Sequence, residues 1–87
     1  MYVYILECKD GSYYTGIAKD LQKRLTNHSQ GSKYTRAKKP EKLIYVEQPE
    51  NAYKREPQIK SLTKKQKDKL IASPLNEVSN HKNIVVT

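Results

Sequence analysis

The chain has 87 residues, enough for one domain with a compact core and modest stability. Seventeen Lys and Arg against nine Asp and Glu leave a net charge of +8, which favours a polyanionic partner, nucleic acid first, over a membrane surface, because no broad apolar helical face opposes the lysines. A single cysteine, Cys8, excludes an internal disulfide and a Cys-based zinc site, and no apolar run approaches the roughly 20 residues that cross a bilayer, so a cytoplasmic protein is expected.

Tyr2–Leu6 is rich in β-branched and aromatic residues and predicts a strand. Asp10-Gly11 then signals a hairpin turn, since Gly accepts the positive φ required there, and Tyr13–Ile17 supplies the second strand. Gly16 inside that strand points to close approach by another backbone or by a ligand. Asp20 is a good N-cap for a helix running to about Ser29, with Leu21 and Leu25 as its buried stripe and Gly31 able to end it. Residues 32–40 are polar and basic and read as a loop. Lys42–Glu47 predicts a third strand.

Pro49-Glu50-Asn51 opens a second helix with Ala52, Ile59 and Leu62 on its apolar side; Pro57 within it predicts a kink or a delayed start. After a break near Thr63, a Lys-rich helix runs to about Ala72 with Leu70 and Ile71 inward, and Ser73-Pro74 ends it. Residues 76–87 have no evident place, and fraying is the expectation for a terminus, so the domain is drawn over 1–75 with a flexible tail over 76–87. The element order β-β-α-β-α-α predicts an α+β domain, a small three-stranded antiparallel sheet flanked by helices.

Several residues in this frame suit chemistry on phosphate. Period-two alternation puts Tyr2, Tyr4 and Leu6 on one face, and Tyr14 with Gly16 on one face of the next strand. If the register joins those faces, two phenols converge near Gly16, whose missing side chain would leave room for substrate; the alternative is a cross-strand pair that only stabilises the sheet. Arg24 and His28, four apart, project the same way from the first helix. A guanidinium can hold phosphate oxygens bidentately, and an imidazole titrates near neutrality; a solvated face and a favourable helix C-terminus are the competing explanations. Glu56 lies near an apolar stripe, where a carboxylate is costly unless paired or bound to a cation; the alternative is a helix-surface pair with Lys60.

These motifs, in this order and spacing over residues 2–72, resemble the GIY-YIG endonuclease family and its small stand-alone bacterial members. The first signature is Val3-Tyr4-Ile5, with Val in place of Gly; the second is Tyr14-Thr15-Gly16, with Thr in place of Ile. Arg24 and His28 follow, then Glu56, with Asp10–Gly16 and Lys33-Tyr34-Thr35-Arg36 adding to the likeness. The resemblance implies a metal-dependent endonuclease acting in DNA processing or repair, with Tyr4, Tyr14, Arg24, His28 and Glu56 as catalytic residues. It implies one Mg²⁺ or Mn²⁺ on Glu56 and a phenol that orients or deprotonates the attacking water. Lys33, Tyr34, Arg36, Lys38 and Lys39 form a loop suited to track a nucleic-acid backbone, with Tyr34 available to stack on a base. DNA is expected ahead of RNA, and a protein partner could supply target choice. The competing functions are a nucleic-acid-binding module with little catalysis and a protein-interaction adaptor.

Overall fold

The computed structural model describes residues 1–31 and 39–86, the side chains of residues 27–31 excepted. Strand β1 (Tyr2–Cys8) turns at Asp10-Gly11 into β2 (Tyr13–Ala18), which leads into helix α1 (Leu21–Gly31). Strand β3 (Pro40–Glu47) is followed by α2 (Ala52–Lys60), α3 (Lys64–Ile71) and a short 3₁₀ turn over Val78–His81. The sheet is antiparallel in the order β2-β1-β3, so the first strand is central. This is the α+β fold and element order expected.

Local signals explain most of the boundaries. Gly11 takes φ +85°, and the Asp10 side chain accepts hydrogen bonds from the backbone and hydroxyl of Ser12 to close the turn. Asp20 caps α1 by accepting the Lys23 N–H at 3.1 Å, and Asn51 caps α2 by accepting the Lys54 N–H at 3.3 Å. Thr63 and Gln66 form a reciprocal capping box at the start of α3. Strand β3 begins at Pro40, two residues before the expected Lys42, because pairing to β1 continues to Cys8 through two register irregularities. Pro is tolerated there as the first residue of an edge strand. Pro57 does not delay α2, which is already helical from Ala52.

Central position buries β1 on both faces: Val3, Tyr4, Ile5 and Leu6 are all fully buried. Tyr4 and Leu6 pack with Ala18, Leu21, Leu25 and Val46 beneath α1. Val3 and Ile5 pack with Tyr45, Ala52 and Ile59 beneath α2, with Leu70 and Ile71 of α3 at the margin. Near-continuous apolar burial in the middle strand and helices on both sides is the three-layer solution for a short chain.

The segment after Leu75 has a defined seat. The Asn76 side chain accepts the N–H groups of Val46 (3.2 Å) and Val78 (3.0 Å), and donates to the carbonyls of Ile44 and Ile71, both at 2.9 Å. Glu77 N–H donates to the Val46 carbonyl at 2.7 Å. Further along, Val78, Ile84 and Val86 pack against the core under α1, and Gln22 exchanges two 2.9 Å hydrogen bonds with the backbone of Val85.

Candidate active site

The hairpin register decides where the phenols go. Tyr4 stands opposite Gly16, and Tyr14 opposite Leu6, so both tyrosines share the face covered by α1. Their ring centroids are 6.4 Å apart at a tilt of 40°. Gly16 is the contact point between them. A β-carbon at that position would lie 2.6 Å from the Tyr4 hydroxyl oxygen, 2.7 Å from its ring carbon Cζ and 3.1 Å from Tyr14 Cε1. The space left by the missing side chain is therefore filled by the Tyr4 phenol rather than kept open for substrate, and the close approach comes from a side chain rather than a backbone.

The Asp20 cap starts α1 so that Arg24, one turn in, reaches back over the phenols. Its guanidinium hydrogen-bonds the hydroxyls of Tyr4 and Tyr14, and the bond to Tyr4 is the main reason its own pKa rises above the usual arginine value. Arg24 therefore stays a cation. Burial pushes the Tyr4 phenol up to about 12, against the opposing pull of the Arg24 hydrogen bond and charge. The Tyr14 and Glu56 charges act in the same direction as burial. Glu56 is thus within electrostatic reach of Tyr4, although it comes from a different helix.

On α2, Glu56 is half-buried, with its side chain 22% exposed, and Lys60 Nζ lies 3.7 Å from its Oε1. The helix-surface pair weighed from the sequence is therefore present, and an exposed pair of that kind contributes only about 0.3–0.5 kcal/mol. What fixes the helix is the preceding residue. Arg55 donates through Nε and Nη2 to both carboxylate oxygens of Glu47 on β3, at 2.8 and 3.1 Å, and Tyr45 donates its hydroxyl to Glu47 at 2.6 Å. Glu47 is buried, so this second carboxylate is committed to its two donors. Sequence reasoning missed these three residues. The signal available was the alternation Tyr45-x-Glu47, which puts both on one strand face, with an arginine early in the next helix.

His28 follows Arg24 by one turn of α1, and its side chain lies outside the described residues, as do Lys33, Tyr34, Arg36 and Lys38. Lys39 is described: it is exposed, has φ +53°, and its carbonyl accepts the Lys9 N–H at 3.0 Å. A non-glycine residue in the left-handed region immediately before a proline is an uncommon, strained conformation. The structure thus brings together Tyr4, Tyr14 and Arg24 from three elements, with the charge of Glu56 acting on Tyr4 from a fourth, and ties Lys39 to the end of the first strand.

Among the described residues no three His, Cys, Asp or Glu side chains gather into a metal cluster. The donor set here is one partly exposed carboxylate, Glu56. That suits Mg²⁺ or Mn²⁺ bound mainly through water and substrate phosphate, and it does not suit a structural metal, which needs a closed ligand shell.

A small antiparallel sheet with helices on both faces, two phenols converging under an arginine and one carboxylate arriving from a later helix, defines the class of nuclease-type domain that the motifs resemble. The model of the GIY-YIG catalytic domain matches residues 1–69, and the chain belongs to the GIY-YIG family, a nuclease family. It is 47% identical over 76 residues to a UPF0213 protein of Staphylococcus saprophyticus, covering 82% of this chain and 93% of that one. A UPF0213 protein of Clostridium perfringens is 52% identical over 77 residues, covering 83% of each chain. The solution NMR structure of a UPF0213 protein from Bacillus halodurans superposes with a TM-score of 0.55 at 36% identity, covering 99% of this chain and 97% of that one. Among the described residues no helix is long and apolar enough to cross a membrane.

Proposed function

We propose that this chain is a divalent-metal-dependent endonuclease that hydrolyses phosphodiester bonds in nucleic acid, with DNA processing or repair as its role. The observation that carries this reading is the meeting of Arg24 with both Tyr4 and Tyr14 within electrostatic reach of Glu56.

Glu56 would hold Mg²⁺ or Mn²⁺, which when bound neutralises charge on the scissile phosphate and the leaving oxygen. Arg24, kept cationic by its phenol partners, stabilises the charge that develops on the phosphorane. The phenols position the attacking water. With its pKa pushed up to about 12, Tyr4 is a hydroxyl in the resting chain, and it takes up the water's proton only where added positive charge lowers its ionisation. His28 assists proton transfer or contacts phosphate, and the loop carrying Lys33, Tyr34, Arg36, Lys38 and Lys39 follows the nucleic-acid backbone.

The test is cleavage of branched, nicked and single-stranded DNA and of RNA, with Mg²⁺, with Mn²⁺ and with EDTA, by the parent chain and by Glu56→Gln. Metal-dependent cleavage that falls at least about a hundredfold in the variant while binding persists supports the enzyme. Salt-sensitive binding without turnover in the parent, indifferent to Glu56, would instead make the chain a binding module. No affinity for any nucleic acid would leave the adaptor reading.

A further inference from the structure

A cleft of about 510 Å³ opens beside Arg24, between the end of β2 and the first turn of α1. Its size falls within the roughly 300–1,000 Å³ typical of small-ligand sites. Met1, Ile17 and Ala18 supply apolar lining, and Lys19, Lys23 and Arg24 supply three cations. The one carboxylate in the lining is Asp20, whose Oδ1 is occupied by the Lys23 backbone N–H. Lys19 and Lys23 are exposed, and among the described residues neither makes an ion pair. The cleft thus combines positive charge with apolar surface and shares Arg24 with the candidate active site.

Resting on the nuclease reading above, we propose that this cleft seats the nucleotide next to the scissile phosphate. The phosphate of that nucleotide lies between Lys19 and Lys23, and its sugar and base edge rest on Ile17, Ala18 and Met1. Charge complementarity selects the occupant: two unpaired ammonium groups attract a phosphate, and the apolar lining has no role for a bare inorganic anion but matches the less polar parts of a nucleotide. Arg24 then joins two positions on the strand, gripping the phosphate under attack while forming the wall of the neighbouring subsite. The nucleic-acid path accordingly runs over the turn from β2 into α1, in addition to the basic loop that precedes β3.

The experiment is fluorescence anisotropy on the full chain in EDTA, with fluorescein-labelled DNA and RNA of one mixed sequence, each single-stranded and duplex. The variant Lys19→Glu/Lys23→Glu is compared with Lys65→Glu/Lys69→Glu, which makes the same charge change at exposed positions of α3 that do not line the cleft. Lys19→Gln/Lys23→Gln serves if the reversed pair folds poorly, against Lys65→Gln/Lys69→Gln. The cleft pair should weaken binding at least about tenfold and lower the salt dependence by roughly one phosphate contact, with the α3 pair changing affinity less than about threefold. A loss in the cleft pair no greater than in its α3 control overturns the assignment and leaves the nuclease reading standing. Absence of binding by the parent chain to all four probes removes both.

Discussion

The hydroxyl of Tyr4 fills the space that a β-carbon on Gly16 would occupy, across the ladder between β1 and β2. A rigid, fully buried phenol cannot swing away from an added methyl as a flexible surface chain could. Gly16→Ala is therefore expected to cost about 1–3 kcal/mol of stability through overpacking. It should also displace the hydroxyl from Arg24, and a displacement approaching 1 Å lowers turnover by about a hundredfold. Thermal unfolding together with cleavage rates would check this; an alanine chain as stable and as active as the parent would contradict it.

Alkaline pH should weaken the fold through its tyrosines. A tyrosine in an unfolded chain ionises near 10, whereas burial moves Tyr4 to about 12. As pH rises the unfolded chain loses this proton first, so the contribution is intact below about pH 9 and is lost between about 10 and 12. That difference corresponds to on the order of 2–3 kcal/mol for Tyr4. Tyr13, whose hydroxyl bonds to Asp68, is also raised to about 12, and Tyr45 is raised by burial and by its bond to Glu47, so both act in the same direction. Urea midpoints from pH 7 to 11.5 should fall along this window, and less steeply in Tyr4→Phe.

Removing Arg55 leaves Glu47 buried with Tyr45 as its remaining donor. Truncating one partner of a buried pair costs about 3–5 kcal/mol, and the 30% exposure of Arg55 reduces that to roughly 2–3 for Arg55→Ala. Arg55→Lys keeps the charge but loses the two-pronged geometry, so an intermediate loss is expected. Because Arg55 ties α2 to β3 one residue before Glu56, both variants should also raise the Mn²⁺ concentration needed for half-maximal cleavage. Chemical denaturation and metal titration measure the two effects separately.

Ending the chain after Leu75 would remove the Asn76 hydrogen bonds and the packing of Val78, Ile84 and Val86. Losing three partly buried aliphatic side chains and a set of strand-edge bonds should destabilise the domain by several kcal/mol, on a scale of about 1–2 kcal/mol per partly buried side chain. The midpoint of thermal unfolding reads this directly, and a truncated chain that melts with the parent would mean the segment contributes nothing.

What could be read beforehand follows from the range of each interaction. The Asp10-Gly11 turn, the Asp20 and Asn51 caps and the Thr63–Gln66 box all act within four residues, so their signals lie side by side in the chain. The shared face of Tyr4 and Tyr14 followed from alternation once that turn fixed the register. Long-range pairs were not legible. The seat of Ile84 and Val86 depends on α1, with Gln22 meeting Val85 across 63 positions, and three scattered aliphatics have no periodicity to announce it. The Glu47–Arg55 fork was hidden similarly, because an acid at a strand end and a base in the next helix are common wherever they occur. The role of Gly16 was misread for a different reason: the sequence shows that space is needed there without saying what fills it.

The seat of Asn76 has a bearing on how this small domain meets other proteins. Sheet margins invite guest strands, because their outward N–H and C=O groups await partners. Along β3 the amide of Val46 and the carbonyls of Ile44 and Val46 are already taken by Asn76 and Glu77 of the same chain. A visiting polypeptide seeking to lengthen the sheet along residues 44–46 would first have to peel this segment away, so that stretch of the edge is closed to easy strand addition.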